Sequence, residues 1–416
     1  MRAEVVAVGS ELLLGDAVDT NSARISARLA EIGVDVHRHT TVGDNVERMA
    51  DVIGGACARA DAVIVTGGLG PTADDLTRVA VAQVAGVELE RRHDLAEYLH
   101  EYFASAGREM PESNLVQADL PRGAQVLHPV GTAAGFTVAV GASTVWCVPG
   151  VPREMEAMFE RDVLPALRTA AGTATTVSRM VRTAGMAESA VGEVCAPLVE
   201  RLAAAGNPTL AFLASRGETR VRLTAKAATR QEALALLEPL VAEVVGLLGV
   251  NVAGVDDEGV EWAIARQLTD LGLLLGVAES VTGGGVSARL VSVPGASSWL
   301  RGSLVTYSTD VKSSLAGVDP ALLDEAGPVS EETAAALARG ARERLGADVG
   351  LAVVGVAGPT TQSRRPVGFT CVGAALPDGS VTTAARRLPA RGRTDVQEFA
   401  ASMALDFLRR VLGRLG

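Results

Sequence analysis

Residues 62–75 read Ala62-Val63-Ile64-Val65-Thr66-Gly67-Gly68-Leu69-Gly70-Pro71-Thr72-Ala73-Asp74-Asp75, and this stretch decides the fold of the first part of the chain. Its first five residues form a short apolar run that ends in glycines, which is typical of a buried strand followed by a tight loop. A similar run covers Ala3 to Val8, and Asn21 to Ile32 has the apolar spacing of a helix. The alternation of strands and helices predicts an α/β domain built on a parallel sheet.

Glycine-bearing loops follow several of the apolar runs. In parallel sheets, ligands bind beyond the carboxyl ends of strands, where glycines let backbone N–H groups approach phosphates. The loops at residues 9–11, 67–75, 129–135 and 149–152 therefore indicate one pocket for a phosphate-bearing ligand. Asp74 and Asp75 add hard oxygen ligands suited to Mg²⁺ or Mn²⁺, or they cap a helix, which Asp often does.

Composition limits the classes of function. A chain of 416 residues with 48% apolar content predicts two to four globular domains, and a net charge of −11 argues against nucleic acid as the main partner. The amino terminus has no signal-peptide pattern and apolar runs such as Leu271 to Ala278 are too short to span a bilayer, so we expect a cytoplasmic protein without membrane attachment. The scattered cysteines predict reduced, buried thiols, at Cys57, Cys147, Cys195 and Cys371.

Lysine is scarce in this chain. Lys and Arg together number 38, but the only lysines are Lys226 and Lys312. Arginine can replace lysine as a surface charge, whereas only lysine can lose its proton near neutral pH when it is desolvated. Lys312 therefore becomes a candidate for proton transfer, although chance retention of both lysines is the alternative. Lys226, in a strand-like run, is interpreted as a strand-end charge.

The second half of the chain contains residues suited to amide hydrolysis, which needs a nucleophile, a base and an oxyanion site. The apolar run Leu273 to Ala278 predicts a strand ending at Glu279-Ser280, and Thr282-Gly283-Gly284 predicts the opening of a helix that continues through Leu290. Free N–H groups at that helix end would favour an oxyanion near Ser280, or Ser280 simply caps the helix. A neutral Lys312 can take the hydroxyl proton of Ser280 and return it to departing ammonia.

The pattern between the two halves changes at about Thr173. Short strands and amphipathic helices up to Val250 predict a small α+β domain, to which we assign no chemistry, and Gly254 to Gly259 is the expected linker. The predicted organisation is therefore three domains, at residues 1–170, 171–253 and 254–416.

The amino-terminal motifs resemble those of the CinA family, whose first domain is similar to the molybdopterin-binding fold. The matching runs are Val8–Gly15, Thr20-Asn21, Val42–Asn45, Thr66–Thr72, Asp74-Asp75, Val130–Thr132 and Pro149–Met155, in which Val151 replaces a proline. The resemblance implies a metal-dependent ADP-ribose pyrophosphatase pocket, with Asp74 and Asp75 near Mg²⁺ or Mn²⁺. It implies substrate contacts at Gly67, Gly68, Gly70, Thr72, Gly131 and Thr132.

The carboxy-terminal motifs also resemble the CinA family, in the domain known as nicotinamide mononucleotide deamidase. The matching runs are Glu279–Gly284, Ser292–Ser297, Thr306–Lys312, Gly327–Glu331, Gly355–Pro359 and Arg365–Gly368. The resemblance implies Ser280 as nucleophile, Lys312 as general base, and supporting roles for Tyr307 and Thr282, without a cofactor and in a homodimer. It implies substrate contacts at Gly283, Gly284, Gly355, Ala357, Gly358 and Arg393.

The chain departs from the family pattern at three places. Thr309 replaces an asparagine, Thr360 to Arg364 replaces an acidic, glycine-rich stretch, and Arg391-Gly392-Arg393 replaces Gly-Asp-Arg. Arg393 can clamp a nucleotide phosphate, or it is a surface charge. The resulting hypothesis is hydrolysis of nicotinamide mononucleotide to nicotinic acid mononucleotide and ammonia in pyridine-nucleotide salvage. The alternatives are a main activity in the pyrophosphatase domain, or pockets that bind pyridine nucleotides or a pterin without turnover.

Overall fold

Four sheets organise the part of the chain that the structure, a computed structural model, describes: residues 1–172, 175–215, 217–362, 364–389 and 392–415. Thr173, Arg391 and Gly416, named in the sequence analysis, lie outside these ranges. The chain divides into two compact units, Met1–Val177 with Ala225–Ala235, and Ser178–Thr224 with Leu236–Gly416.

The first unit alternates strands and helices, as the sequence predicted. Its strands are β1 (Arg2–Val8), β2 (Asp35–Val42), β3 (Ala62–Thr66), β4 (Leu89–Arg91), β5 (Asp119–Pro121), β6 (Gln125–Leu127), β7 (Gly135–Val140) and β8 (Ser143–Val148). Its helices are α1 (Ser10–Leu14), α2 (Thr20–Glu31), α3 (Val46–Cys57), α4 (Thr77–Ala85), α5 (His93–Ser105), α6 (Pro152–Met158) and α7 (Leu164–Ala171).

The main sheet of this unit has the order β2-β1-β3-β8-β7-β6. The predicted parallel arrangement is confirmed for the pairs that join β2, β1, β3 and β8. Strands β7 and β6 instead extend the sheet in antiparallel fashion, because tight connections such as residues 141–142 reverse the chain without a crossover helix. The apolar β3 is buried along its whole length, as expected for a central parallel strand.

The remaining elements, from residue 175 onward, build two further sheets. The strands are β9 (Thr175–Ala184), β10 (Thr209–Ser215), β11 (Glu218–Ala227), β12 (Val252–Val255), β13 (Leu275–Glu279), β14 (Leu300–Val305), β15 (Val349–Gly355), β16 (Phe369–Ala375) and β17 (Val381–Arg387). The helices are α8 (Glu188–Ala205), α9 (Arg230–Leu248), α10 (Val260–Leu271), α11 (Gly285–Val291), α12 (Thr309–Ala316), α13 (Pro320–Ala326), α14 (Glu331–Arg344) and α15 (Arg393–Leu412).

The four-stranded sheet β10-β11-β9-β12 contains part of the expected linker. Gly254 was predicted to begin a connecting segment, but it lies in β12, which pairs antiparallel with β9. Gly254 has room for no side chain, since a Cβ atom there would lie 2.0 Å from the carbonyl oxygen of Glu258. The acidic residues 256–258 favoured the prediction of a linker, although the four residues before them form the short strand β12.

The five-stranded sheet β14-β13-β15-β16-β17 brings three strand ends together. Strand β13 lies between β14 and β15 and is parallel to both, and Glu279 is in register with Val305 on one side and Val353 on the other. The carboxyl ends of the three strands therefore meet at one edge, where parallel sheets form their ligand sites. Antiparallel β16 and β17 complete the sheet on the side of β15.

The sequence predicted apolar runs too short to span a bilayer, but helix α9 is long enough to do so. Together with the following turn to Asn251, it is the one helix among the described residues that is long and apolar enough to cross a bilayer. Ala233, Leu237 and Val244 are nevertheless fully buried at helical spacing. A helix that packs one apolar face on a protein core meets the same criterion of length and composition.

Two helical glycines provide a test of the packing in the second unit. A Cβ atom at Gly340 in α14 would lie 1.9 Å from the carbonyl oxygen of Ala316, whereas one at Gly246 in α9 would meet no atom within 4 Å. We expect Gly340→Ala to lower the free energy of unfolding by about 1–3 kcal/mol through overpacking. Gly246→Ala should raise it by about 0.5–1 kcal/mol, because alanine favours the helix.

Urea unfolding of both variants followed by circular dichroism measures this difference. Equal shifts of the two midpoints in the same direction would contradict the close contact between α14 and the end of α12.

Candidate active site

Ser280 and Lys312 meet at the edge formed by β13, β14 and β15. Ser280 directly follows β13, and Lys312 lies in α12, which begins four residues after β14 ends. The Lys312 Nζ lies 2.9 Å from the Ser280 Oγ, and both side chains are buried, with 2% and 8% of their surface exposed. The structure therefore brings together the predicted nucleophile and the predicted base within hydrogen-bonding distance.

The surroundings of Lys312 make its ammonium lose a proton more readily than that of an exposed lysine. No salt bridge among the described residues includes Lys312, and burial lowers the pKa of its ammonium from 10.5 to about 8. Its Nζ also donates to the carbonyl oxygen of Thr306 at 2.6 Å. When the amine is neutral, that bond uses one N–H group and leaves the lone pair of nitrogen for the hydroxyl proton of Ser280.

The other lysine has a different environment. Lys226 Nζ lies 2.8 and 2.7 Å from the two carboxylate oxygens of Asp35 and its side chain is 39% exposed. Lys226 thus has the character of a structural charge, as the sequence interpretation held.

A cavity of about 460 Å³ opens beside the Ser280 and Lys312 pair. Its size is that of pockets that enclose small organic ligands. Tyr307, predicted to support catalysis, lines it together with four predicted contact residues, Gly355, Ala357, Gly358 and Arg393. Two positions at which the chain departs from the family pattern, Thr309 and Gln362, line it as well.

Arg393 is held at the cavity by neighbours that the sequence did not connect with it. It is the first residue of α15, and its guanidinium donates to the carbonyl oxygen of Gly358 at 2.7 Å and to the hydroxyl of Tyr307. Both side chains are exposed, and the Tyr307 ring has 57% of its surface accessible. Tyr307 therefore orients Arg393, while the partner that orients Lys312 is the backbone of Thr306.

The expectation of free amides near Ser280 is wrong. Helix α11 begins at Gly285, later than predicted, and the N–H groups at its start donate to the carboxylate of Glu279. An oxyanion on the substrate cannot use donors that a buried carboxylate already occupies. Glu279 was not among the predicted site residues, although one signal was present: a carboxylate ends an otherwise apolar strand just before Thr282-Gly283-Gly284.

Thr282, Gly283 and Gly284 support the loop and do not line the cavity next to Ser280. The Thr282 hydroxyl donates to Glu279 Oε2 at 2.7 Å, and Thr282 faces a second cavity of about 550 Å³. Gly283 and Gly284 have φ angles of 61° and 105°, a backbone region that disfavours other residues. Their placement indicates that the glycines allow the turn between β13 and α11.

The predicted metal ligands of the first unit are tied to their own loop. Asp75 accepts from the N–H groups of Gly70 and Thr72, each at 2.8 Å, and Asp74 accepts from the Thr72 hydroxyl, which lowers the pKa of that carboxyl. No group of three or more His, Cys, Asp or Glu residues able to hold a metal occurs among the described residues. The loop does not fit a metal held by protein ligands alone.

The glycine loops of the first unit meet only in part. A Cβ atom at Gly67 would lie 2.3 Å from the carbonyl oxygen of Val8, and one at Gly150 would lie 3.2 Å from Gly67, so three strand ends are in close contact. A cavity of about 170 Å³ there is lined by Thr66, Gly150 and Asn21, among others. No residue of the loops 67–75 and 129–135 lines this cavity, so it does not unite the four predicted loops in one pocket.

The remaining predicted contact residues of the first unit are packed within its loops. Gly68 has a φ of 64°, and a Cβ there would lie 2.4 Å from the Thr77 hydroxyl. The Tyr98 hydroxyl donates to the carbonyl oxygen of Gly131 at 2.9 Å, and the Thr132 hydroxyl accepts from Gln117 at 3.3 Å. These contacts give the loops a fixed shape.

Three protein-family models match the chain in succession. They are the "Probable molybdopterin binding domain" over residues 4–169, the "Damage-inducible protein CinA KH domain" over 178–254 and the "CinA C-terminal domain" over 257–412. The last match includes Ser280, Tyr307, Lys312 and Arg393. The first includes all predicted contact residues of the first unit.

Relatives match over the full length. A CinA-like protein of Frankia casuarinae is 49% identical over 100% of this chain and 97% of its own length. A CinA-like protein of Gloeothece citriformis is 40% identical over 99% of both chains. Among solved structures, the protein CinA of Thermoplasma acidophilum is 33% identical over 41% of this chain and 97% of its own, with a TM-score of 0.37.

The pKa of Lys312 generates a prediction about pH. Below about pH 8 the amine is protonated and cannot accept the proton of Ser280, and above it the amine is neutral. The rate at which a fluorophosphonate labels Ser280 should therefore rise about tenfold per pH unit well below the pKa and level off above it. Mass spectrometry of the labelled peptide measures this rate, with Ser280→Ala as the control. A rate that does not change with pH would contradict the assignment of Lys312 as the base.

Proposed function

The chain belongs to the CinA family, and on that premise we propose that its second unit is an amidohydrolase that converts nicotinamide mononucleotide to nicotinic acid mononucleotide and ammonia. The observation that carries the proposal is the buried contact of 2.9 Å between Lys312 Nζ and Ser280 Oγ. A serine hydroxyl becomes an effective nucleophile when an adjacent base takes its proton, and a desolvated lysine is such a base.

In the first half of the reaction, Lys312 accepts the hydroxyl proton while Ser280 Oγ attacks the carboxamide carbon. The tetrahedral intermediate then breaks its C–N bond, and the ammonium of Lys312 gives the proton to the departing nitrogen, which leaves as ammonia. An ester between Ser280 and the nicotinoyl group remains. Gly355, Ala357 and Gly358 line the cavity, and their backbone N–H groups are the candidates for binding the carboxamide oxygen.

In the second half, a water molecule takes the place of ammonia. The neutral Lys312 accepts a proton from the water, whose oxygen attacks the ester carbon, and the C–O bond to Ser280 breaks as the same proton returns to Oγ. The products are a free serine and nicotinic acid mononucleotide, whose carboxyl group releases the second proton of the water to solvent. The lysine ends in its starting state, so one base serves both halves.

The walls of the cavity support a nucleotide substrate. Arg393 lies at the mouth with an exposed guanidinium, the group best suited to bidentate binding of phosphate. Thr309, Thr360 and Thr361 add hydroxyl groups that can bind ribose. A volume of about 460 Å³ is of the size that accommodates a mononucleotide.

A time course with purified protein, nicotinamide mononucleotide and EDTA tests the proposal. Chromatography should show nicotinic acid mononucleotide and ammonia in equal amounts, because no step of this mechanism requires a metal. Folded protein that yields neither product would overturn the proposal. A parallel assay with ADP-ribose and Mg²⁺ then measures the alternative activity, which the chelator should abolish.

Replacement of each lysine by arginine gives a matched pair of variants. Lys312→Arg should lower kcat for deamidation by about 10³-fold or more, because a guanidinium stays protonated and cannot act as a base. Lys226→Arg keeps an ion pair with Asp35 and should leave kcat within about twofold of the wild type. Steady-state assays of ammonia release provide both values. Near-normal turnover by Lys312→Arg would refute the serine and lysine mechanism.

A further inference from the structure

Glu279 is a buried carboxylate next to the nucleophile. The residue has 0% of its surface exposed, and no salt bridge among the described residues includes it. Six hydrogen bonds reach its two oxygens instead. The donors to Oε2 are Thr282 Oγ1 (2.7 Å), Gly284 N (3.0 Å) and Val286 N (2.9 Å), and the donors to Oε1 are Ser287 N (2.8 Å), Ser287 Oγ (2.5 Å) and Ser303 Oγ (3.4 Å).

These hydrogen bonds explain how a carboxylate is tolerated without a cation. Burying an ionised carboxylate is strongly unfavourable unless hydrogen-bond donors replace its water. Backbone N–H groups at a helix start carry partial positive charge and bind anions well. The carboxylate of Glu279 thus accepts hydrogen bonds from N–H groups at the start of α11, and these N–H groups compensate the charge of Glu279.

The same hydrogen bonds fix the loop that carries Ser280. The carboxylate of Glu279 accepts hydrogen bonds from the backbone N–H groups of Gly284, Val286 and Ser287. The segment from residue 280 to residue 283 therefore folds back as a short arch. Ser280 is the first residue of this arch, and its own N–H donates to the carbonyl oxygen of Val353 at 3.0 Å. The hydroxyl of Ser280 therefore projects from a segment that is held at both ends.

Glu279 is also connected to the base. Its backbone carbonyl oxygen accepts from the N–H of Thr306 at 2.7 Å. Thr306 is fully buried, and its own carbonyl oxygen accepts from Lys312 Nζ at 2.6 Å. The side chain of Glu279 thus sets the position of the nucleophile, and its backbone sets the position of the group that orients the base.

We propose that Glu279 is a positioning residue that holds Ser280 Oγ in line with Lys312 Nζ, an inference that rests on the proposed function. Glu279 does not line the cavity beside Ser280, so it does not contact the substrate. Its loss should therefore affect the chemical step more than substrate binding. A residue needed only for folding would instead lower the amount of active protein without changing the rate of the remainder.

The test compares Glu279→Gln and Glu279→Asp with a control, Glu4→Gln. Glutamine has the shape of glutamate but directs an NH₂ group at donors, whereas aspartate keeps the charge on a shorter side chain. Glu4 is also buried, with 4% exposed, but it pairs with Arg59 in the first unit. Each protein is assayed for kcat and KM with nicotinamide mononucleotide, after active sites have been counted by fluorophosphonate titration.

Glu279→Gln should lower kcat per active site by about 100-fold and leave KM within about threefold, Glu279→Asp should recover part of the loss, and Glu4→Gln should match the wild type. A kcat of Glu279→Gln within about threefold of the wild type would overturn the proposal, as would a rise in KM with unchanged kcat.

If Glu279→Gln does not fold, Ser287→Ala and Thr282→Val each remove part of the donor set. Graded losses of kcat then support the proposal, and unchanged kcat in both overturns it.

The rate of fluorophosphonate labelling separates this inference from the proposed function, because labelling of Ser280 requires no nucleotide. Wild-type protein that is labelled but does not hydrolyse nicotinamide mononucleotide would refute the proposed substrate alone. In that case, slower labelling of Glu279→Gln would still support positioning, and equal labelling rates would overturn it.

Discussion

The desolvation of a single ammonium group governs the chemistry of the second unit. Lys312 is buried without a carboxylate partner among the described residues, so its charged form is disfavoured and its pKa falls to about 8. A carboxylate close to Nζ would restore the charge and remove the base. The Lys312 amine instead contacts the carbonyl oxygen of Thr306 and the hydroxyl of Ser280. The buried carboxylate of Glu279 is hydrogen-bonded to N–H groups of α11 and not to Lys312.

The sheet supplies the geometry that this environment requires. Three parallel strand ends, those of β13, β14 and β15, place the nucleophile, the residue that orients the base, and the cavity wall at one edge. Glycine also allows a helix to approach this sheet closely: a Cβ at Gly350 in β15 would lie 1.9 Å from the carbonyl oxygen of Ala338 in α14. Strand β15 and helix α14 are therefore in direct backbone contact.

Much of the fold could be predicted from the sequence because it depends on local signals, and Ser280 and Lys312 could be nominated as candidates by their residue types and motifs. The apolar run of β3 has the predicted limits, and lysine scarcity singled out Lys312. Other contacts between distant segments were not predicted. The bond of Arg393 to Tyr307 joins residues 86 positions apart, and no periodicity encodes it.

The hydrogen-bond partners of the N–H groups at a helix start could not be predicted from the sequence either. The pattern after Ser280 correctly indicates a turn and a helix, but it does not reveal whether the helix amides are free or bound. In this structure the side chain one residue before the nucleophile occupies them. The antiparallel strands β6 and β7 were missed for a similar reason, since pairing direction depends on connections and not on the composition of a strand.

The contrast between the two lysines has a practical consequence for spectroscopy. Lys226 is ion-paired and partly exposed, while Lys312 is buried. A protein grown with isotope-labelled lysine would give only two side-chain signals in a nuclear magnetic resonance spectrum, one from each environment. The protonation of the reactive amine can therefore be read as a single moving peak in the intact, unmodified protein, with the other lysine as an internal reference.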